Sequence, residues 1–504
     1  MASMLRTRRM LLAILILACP LCAGAGEHIA ITVLHVNDTH GHILSAMDKT
    51  IDATTPIAGA AYLAALIDAE RAKNPDGTLL LSSGDMFQGT PVSNVFRGEP
   101  VIRIMNALRF DAMSIGNHEF DWSLDTLRDL RKAAQFPFLS ANIEQENGQT
   151  LDGVKRFVIV ERKGLTIGVI GLTTEEVAYT TKPEYVKGLR VLEAAKVLPG
   201  LIDDAKRAGA QLIVVLSHIG LDADKALAQA VPGIHLIVGG HSHTAITAPV
   251  MVGSTMIVQA GCYGAYLGVV NLDVETEASG TVKVAGAGRL QTVRSGAADR
   301  FDVHIAALIA EYHDKIQVKF SEVVGETSVN LITSKERETN IGNLLTDAMR
   351  NATHADLAFQ NSGGIRADVP IGKISMEQAY TLLPFDNVIL TMDLSGATVL
   401  SLLEQNGASE HGILQMSGVS VAYDMNKPKG ERLLSATVAG GPLQPARTYR
   451  VATNDFLAAG GDGFKQFMDG ARLVYGDNLR DVLVSYLKQR SPVAPAVEGR
   501  IAVK

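Results

Sequence analysis

The chain has 504 residues, of which 47% are hydrophobic and 20% are charged, and its net charge is −7. This length exceeds what one hydrophobic core usually spans, so we expect two or three globular domains. The acidic net charge, with no basic cluster among aromatic residues, argues against a nucleic-acid polymer as partner.

The first 25 residues have the pattern of an export signal. A basic start precedes an apolar run over residues 11–18, and residues 23–25 (Ala-Gly-Ala) fit a small-residue cleavage site. This run is much shorter than the roughly 20 residues that a membrane span needs. We therefore predict a periplasmic or secreted protein with no membrane span. A lipoprotein signal that anchors the chain through Cys19 is the alternative.

The cysteine content agrees with export. Cys19 and Cys22 lie in the signal, so cleavage after residue 25 leaves Cys262 alone. A single cysteine forms no internal disulfide and excludes a Cys-rich metal site. We predict that Cys262 is a core residue.

Residues 27–295 alternate strand and helix patterns, which is typical of an α/β domain. The runs that predict buried strands are 28–36, 78–81, 112–115, 138–141, 165–170, 212–216 and 234–238. Helical spacing covers residues 58–72, 123–134 and 193–208. Folds of this class place their sites beyond the carboxyl ends of the strands.

Five of the predicted strand ends carry oxygen or nitrogen ligands and no thiolate. Each of them alone could be a turn or a helix cap. Together they match a two-metal site for divalent ions such as Zn, Mn or Co, with a bridging carboxylate. The segments are Asp38-Thr39-His40, Gly84-Asp85, Gly116-Asn117-His118-Glu119, Ser217-His218 and Gly240-His241-Ser242-His243.

In order and placement, these segments resemble the metal motifs of the calcineurin-like metallophosphatases. The resemblance implies a four-layer α/β/β/α domain over residues 27–295 that binds two divalent metal ions bridged by Asp85. It implies that the first ion is bound by Asp38, His40, Asp85 and His243. It implies that the second ion is bound by Asp85, Asn117, His218 and His241.

The same resemblance implies that His118 is a catalytic residue and not a metal ligand. In that family the histidine after the ligand Asn faces the substrate, where it stabilises charge on the phosphate or protonates the leaving oxygen. Asp121 would orient the imidazole. The alternative for Asp121 is a cap of a helix that begins at Trp122, and both roles are compatible. We predict structural roles for His35 and His42.

A polar segment over residues 292–299 is followed by helical spacing over residues 302–316. We predict a linker over residues 296–325 whose helix joins the first domain to a smaller α/β domain, residues 326–504.

In the second domain, a helix opens near Gly342 and a strand over residues 357–360 precedes the loop from Asn361 to Arg366. This loop is either a flexible surface segment or an anion site, in which glycine amides and an arginine bind a phosphate. Two further loops, residues 383–387 and 454–464, place aromatic rings among turn-forming residues, which suits a planar ligand.

These blocks resemble the C-terminal domain of the 5'-nucleotidase family. The resemblance implies a nucleotide substrate whose base lies between Phe385 and Phe456. It also implies the remaining contacts: Asp462 with the ribose hydroxyls, Asn361 and Arg366 with the phosphate, and Gly418 near the base.

The chain departs from some members of that family just before the helix near Gly342. Those members carry arginine there, where this chain has Asn340 and Asn343, with Arg337 nearby. Fewer cations near the phosphate leave the order of substrate preference open. Family members also rotate the second domain against the first, and the linker helix would be the hinge region here.

We therefore predict an exported, metal-dependent 5'-nucleotidase with its chemistry in the first domain and nucleoside recognition in the second. A nucleotide-sugar or dinucleotide pyrophosphohydrolase, or a 2',3'-cyclic-nucleotide phosphodiesterase, is the alternative, because two stacking rings accept any of these substrates. A nucleotide-binding protein with a degenerate enzyme half is a different class. The complete ligand set and the presence of His118 argue against it.

Overall fold

The computed structural model describes residues 27–48, 50–181, 183–276 and 281–504. The predicted export signal and Cys19 lie outside these ranges. Within the described residues, no helix combines the length and the apolar character that crossing a bilayer requires.

Two six-stranded sheets form the N-terminal domain. The first runs in spatial order Val282–Thr292, Tyr266–Thr276, Glu27–Val36, Thr78–Ser82, Ala112–Ser114 and Phe138–Leu139. The second runs Val250–Val252, Thr255–Val258, Leu236–Gly239, Leu212–His218, Leu165–Thr173 and Phe157–Arg162. The inner strands are parallel, and antiparallel strands complete every edge except that of Phe138–Leu139, which is parallel to its neighbour. Every run that the sequence predicts as a strand within residues 27–295 overlaps a strand of one of these sheets.

The sheets face each other across a shared apolar core, because their strands are buried on both faces. Successive side chains of a strand point to opposite faces. Leu212 and Val214 therefore join Val33 of the other sheet in the central cluster. Ile213 and Val215 instead pack with the helices outside. The result is the four-layer α/β/β/α arrangement that the resemblance implies.

Helices cover the outer faces of both sheets. Those of the N-terminal domain are Ala60–Arg71, Pro91–Val95, Glu99–Leu108, Leu124–Ala133, Val177–Thr180, Ala194–Arg207 and Leu221–Ala230. Short ladders pair Ser45–Ala46 with Ile57–Ala58, Ile143–Gln145 with Leu189–Val191, and, in the second domain, Val323–Thr327 with Gly372–Ser375.

The linker helix is Val303–Phe320, which lies inside the predicted linker. It begins at Asp302, whose side chain accepts hydrogen bonds from the first backbone N–H groups of the helix. The Tyr312 hydroxyl donates to Glu99 of the first domain at 2.6 Å. At the other end, the Phe320 ring lies 5.0 Å from the Tyr380 ring of the second domain. The helix therefore contacts both domains.

The C-terminal domain is built on a five-stranded and a four-stranded sheet. The larger runs Leu414–Ser417, Leu357–Asn361, Thr448–Asn454, Val388–Ser395 and Ala471–Asn478. The smaller runs Gly441–Pro442, Leu433–Val438, Val419–Tyr423 and Ile501–Val503. Its helices are Asn340–Thr353, Met376–Leu382, Gly396–Asn406, Asp455–Ala458 and Leu479–Arg490. This is the second α/β domain that the sequence predicts.

Candidate active site

The carboxyl ends of the parallel strands bring the predicted metal ligands together. Asp38, Asp85 and Asn117 follow strands of the first sheet, while His218 and His241 come from the second. The ligand loops turn sharply, since several ligands adopt positive φ angles that L residues rarely take. These angles are 49° at Asp38, 48° at His40, 52° at Asp85, 73° at His241 and 55° at His243.

The side chains form two groups of potential ligands. In each group, one atom per residue lies within 4.8 Å of the others; the groups are Asp38, His40 and His243, and Asp85, His218 and His241. Asp85 Oδ2 lies 3.1 Å from His218 Nε2 in its own group. It also lies 3.9 Å from His40 Nε2 in the other. The Asp85 carboxylate therefore lies between the two groups.

The protonation pattern of these histidines fits a metal site. His40 Nδ1 lies 2.9 Å from the Gln88 carbonyl, and His218 Nδ1 lies 2.6 Å from the Ser83 carbonyl. A carbonyl only accepts, so each Nδ1 carries a hydrogen and Nε2 is the nitrogen that faces the site, where a bound metal ion would displace any proton on it. The buried Asn117 Oδ1 has no hydrogen-bond partner among the described residues. Carboxylates, imidazole nitrogens and a free amide oxygen are the donors that divalent ions such as Zn or Mn take.

His118 lies close to both groups, because it forms a third cluster of potential ligands with His40 of the first group and Asp85 of the second. The His118 backbone N–H donates to Asp85 Oδ1 at 2.9 Å. Its Nδ1 is held instead by a carboxylate, 2.6 Å from Asp121 Oδ2. Burial lowers the pKa of His118, but the charges of Asp121 and Asp85 outweigh burial and raise it above 6.5. An imidazole held in this way suits proton transfer.

Asp121 does not cap the α-helix that follows it. The following helix begins at Leu124, and Ser123 is its N-cap, accepting from the Thr126 N–H at 3.3 Å. The alternative, a cap of a helix that begins at Trp122, is therefore wrong. Asp121 instead ends the short 3₁₀ helix of residues 118–120. The other oxygen of Asp121 accepts from the Thr181 hydroxyl at 3.2 Å.

Glu119 connects two of the ligand loops, a role that the sequence does not reveal. Its buried carboxylate accepts from the backbone N–H groups of Asp85 at 2.9 Å, Met86 at 2.8 Å and Gly116 at 2.7 Å. Burial and the nearby Asp85 charge raise the pKa of Glu119 to about 7. The loops that present Asp85 and Asn117 are therefore held at a fixed separation.

One cavity of about 650 Å³ joins these groups to the second domain. Asp85, Asn117, His118, His241 and His243 line it on the side of the first domain. Asn361, Arg366, Phe385, Phe456 and Asp462 line it on the side of the second. The residues that the two resemblances imply thus meet around one space.

The second-domain side chains are held by local contacts. Asp462 accepts from Asn361 Nδ2 at 2.8 Å, and burial raises the pKa of Asp462. The Phe456 ring lies against Gly461, where a Cβ would come within 2.5 Å of the ring. Arg366 hydrogen-bonds to Tyr263 of the first domain. The side chains predicted to contact the ribose and the phosphate, and the ring of Phe456, are therefore held in place by other residues of the chain.

Gly418 does not lie among the described residues that line the cavity. It joins Leu414–Ser417 to Val419–Tyr423 with a φ of 83°, and a Cβ there would come within 2.2 Å of the Asp356 carbonyl. The backbone turn, and not a ligand, accounts for this glycine.

Lys335 is a cavity residue that the sequence analysis missed. It lines the cavity, and burial and then the charge of Arg366 lower its pKa. Arg337, which the sequence analysis noted nearby, is not among the described residues that line the cavity, and its backbone carbonyl accepts from Gln415. Asn340 accepts from the Ile332 N–H, and Asn343 donates to Glu338, so both are structural. Lys335 is therefore a basic residue of the second domain that lines the cavity together with Arg366.

His35 and His42 lie outside the two ligand groups of the described chain. Burial lowers the pKa of His35 to about 3 and that of His42 to about 4. The His35 ring packs on Gly268, where a Cβ would come within 2.0 Å of it. The His42 ring lies 4.3 Å from that of Tyr263.

Comparison with known proteins agrees with both halves of this site. Residues 31–245 match the family model of the calcineurin-like phosphoesterases, and residues 323–469 match that of the 5'-nucleotidase C-terminal domain. A human 5'-nucleotidase is 31% identical over 95% of this chain and 91% of its own. A snake venom 5'-nucleotidase from Crotalus adamanteus is 30% identical over 96% of this chain and 90% of its own.

A solved structure extends the likeness to the fold. The crystal structure of a 5'-nucleotidase precursor from Thermus thermophilus superposes with a TM-score of 0.87 at 32% identity, covering 94% of this chain and 99% of that one. The chain therefore belongs to the 5'-nucleotidase family and is a metal-dependent phosphoric monoester hydrolase.

Proposed function

We propose that the chain is an exported two-metal 5'-nucleotidase that converts nucleotides to nucleoside and inorganic phosphate. The cavity shared by the two domains is the observation that carries this proposal. The first domain lines it with the candidate metal ligands, and the second domain lines it with two phenylalanines, the cations Lys335 and Arg366, and carboxylates that include Asp462. Such a space suits a ligand with a phosphate at one end and a planar base at the other.

Two divalent ions, one at each ligand group, would polarise the phosphoryl oxygens and provide hydroxide at neutral pH. Arg366 and Lys335 would bind the phosphate from the second domain and neutralise part of its charge. Asn361 would donate its amide to a phosphate oxygen. The bond that breaks joins the phosphorus to the 5'-oxygen of the nucleoside.

His118 would protonate that 5'-oxygen as it leaves. Its Nδ1 is committed to Asp121 at 2.6 Å, so the proton available to the substrate is on Nε2. The raised pKa of the imidazole favours the protonated form that this role requires. Asp121 keeps the ring in one orientation and one tautomer.

Nucleoside recognition is assigned to the second domain. Asp462, already bound to Asn361 at 2.8 Å, would accept from the ribose hydroxyls. Phe385 and Phe456 would stack on the two faces of the base. Stacking accepts any base, so the proposal includes no preference among purines and pyrimidines.

Export rests on residues 1–25, whose basic start, apolar run and small-residue site fit a cleaved signal. The test is N-terminal sequencing of protein recovered from the periplasm or medium of expressing cells. A mature chain that starts near residue 26 supports the proposal. An unprocessed chain in the cytoplasm would contradict it.

The activity is tested with one substrate panel on metal-depleted protein reloaded with Zn, Mn or Co. The panel contains nucleoside 5'-monophosphates, a nucleotide sugar, a dinucleotide and a 2',3'-cyclic nucleotide. We expect the highest kcat/KM on a monophosphate, with two metal equivalents per chain by elemental analysis. A higher kcat/KM on the nucleotide sugar, dinucleotide or cyclic nucleotide would replace the 5'-nucleotidase assignment with the corresponding alternative.

A further inference from the structure

The loop from Leu383 to Asn387 carries Phe385, and nearly every residue of this loop accepts a hydrogen bond at its backbone carbonyl. The guanidinium of Arg480 donates from Nε to the Leu383 carbonyl at 2.9 Å and from Nη2 to the Phe385 carbonyl at 3.1 Å. The backbone N–H of Leu479 donates to the Asn387 carbonyl at 2.8 Å. The start of helix Leu479–Arg490 thus holds the loop on both sides of Phe385.

The first domain holds one further carbonyl of this stretch. Asn94 Nδ2 donates to the Pro384 carbonyl at 2.9 Å, across the boundary between the domains. If the domains separate, this bond breaks, but the bonds from Arg480 and Leu479 lie within the second domain. Those bonds therefore hold the loop independently of domain closure.

Arg480 is itself fixed on every side. It is 5% exposed, and its guanidinium lies 3.4 Å from the centroid of the Tyr380 ring. Nη2 also contacts Asp386 Oδ1 at 3.1 Å, and that carboxylate is 67% exposed. A buried guanidinium carries a large desolvation cost, and a surface carboxylate offsets only part of it. The geometry that Arg480 imposes on the loop explains its presence better than net stability does.

We propose that Arg480 is a positioning residue for nucleobase recognition, which acts by fixing the loop that presents Phe385 to the cavity. The inference rests on the proposed function, in which Phe385 stacks on the base. Holding the carbonyls of Leu383 and Phe385 with one rigid planar group removes backbone freedom on both sides of the ring. The loop is then ordered before the substrate arrives, so binding does not have to order it.

Arg480→Met and Arg480→Lys test the proposal. Methionine removes the donors and keeps an apolar stem, while lysine keeps the charge but cannot reach two carbonyls and lie flat on Tyr380 at once. The readout is the ratio of kcat/KM for a nucleoside monophosphate to kcat/KM for ribose 5-phosphate, which lacks a base. We expect this ratio to fall by about 5- to 100-fold in both variants, the range that loss of one stacking ring gives. The fall should come from a higher KM for the nucleotide.

Arg500→Met is the matched control. Arg500 is also an arginine of the second domain with a largely covered side chain, which is 11% exposed, and it donates to the Met416 carbonyl and to Asp347. It contacts no residue of the loop. The control should lower the melting temperature and leave the substrate ratio unchanged. An equal change of the ratio in the Arg500 variant would show that general destabilisation causes the effect, and would overturn the proposal.

Phe385→Ala, alone and combined with Arg480→Met, separates the inference from the function on which it rests. If Arg480 acts through Phe385, the double variant should have the same substrate ratio as Phe385→Ala. A further fall in the double variant would overturn the positioning role. If Phe385→Ala lowers the ratio but neither Arg480 variant does, this inference alone is wrong. If Phe385→Ala leaves the ratio unchanged, the base-stacking part of the proposed function is wrong, and the inference falls with it.

Discussion

The ring of Phe385 stacks on the imidazole of His118, with centroids 5.8 Å apart and planes inclined by 29°. One residue comes from each domain, so this contact joins the proposed base site to the proposed catalytic group. His118 has 12% side-chain exposure, and Phe385 covers part of it. The two rings predicted to bind the base therefore differ, because Phe456 packs on Gly461 within its own domain.

This difference predicts unequal effects of removing the two rings. Phe456→Ala should raise KM for a nucleotide by the equivalent of about 1–3 kcal/mol and leave kcat nearly unchanged, since only stacking is lost. Phe385→Ala should raise KM similarly and also lower kcat, because His118 loses a neighbour that limits its motion. Steady-state kinetics on a nucleotide and on ribose 5-phosphate separate the two. Identical kcat and KM values for both variants on both substrates would contradict this distinction.

Metal dependence is predicted from the position of the Asp85 carboxylate between the two ligand groups. Chelation should abolish turnover, and re-addition of a divalent ion should restore it. Asp85→Asn should stay inactive even in excess metal, because it weakens a ligand that both groups share. Asp204→Asn, on an exposed helix face beside Arg207, is the control and should retain activity. Elemental analysis should show less bound metal in the Asp85 variant only; full metal content with full activity there would remove the two-metal interpretation.

The apolar runs predicted the inner strands of the N-terminal domain, whereas their division into two sheets was implied only by the family resemblance. Thr78–Ser82 and Leu212–His218 are both continuous apolar runs buried along their length. Such runs identify a central parallel strand, yet they carry no information about which neighbour the strand pairs with. The division depends on long-range pairing, such as Leu216 with Val238 in the second sheet.

The candidate site shows the same limit. Its ligands stand out in the sequence because few functions other than metal binding require this spacing of aspartate and histidine after strands. Lys335 does not, since its surroundings, Ser334-Lys335-Glu336, look like any solvated turn. Arg480 is 95 residues away from the Phe385 carbonyl that it binds. Only tertiary packing brings them together, and no local pattern predicts it.

Asp224 should make stability depend on pH. Its carboxylate is fully buried, Oδ1 accepts from the Ser217 hydroxyl at 2.5 Å, and Oδ2 has no hydrogen-bond partner among the described residues. Burial raises the pKa of Asp224 from 3.8 to about 8. Between these values the folded chain keeps a proton that the unfolded chain has lost. The stability that this proton provides is therefore complete below pH 3.8, declines through the window and is lost above about pH 8.

Asp224→Asn removes this dependence, since the amide stays neutral and its oxygen can still accept from Ser217. We expect the melting temperature of the variant, relative to the unchanged chain, to be higher at pH 8.5 than at pH 5.5. The gain should be several degrees, as 1 kcal/mol corresponds to about 2–4 °C for a domain of 150–250 residues. Differential scanning calorimetry of both proteins at both pH values is the measurement. The same melting-temperature difference at both pH values would show that Asp224 is ionised in the folded chain.

His118 is predicted to act in the chemical step and not in metal binding. Its Nδ1 is bound to Asp121 at 2.6 Å, while the buried Asn117 beside it keeps a free amide oxygen for an ion. His118→Asn should therefore keep nearly normal metal content and melting temperature. It should lower kcat by about 10²–10⁴, the usual range for loss of one positioned acid–base group. Asp121→Asn should lower kcat less, because a misoriented imidazole can still donate a proton.

Metal analysis and kinetics must be done on the same preparations, with nitrophenyl phosphate as a second substrate. Its leaving oxygen needs little protonation, so His118→Asn should impair its hydrolysis far less than that of a nucleotide. Loss of one metal equivalent in the His118 variant would make this residue a ligand, and equal losses on the two substrates would exclude proton donation as its role.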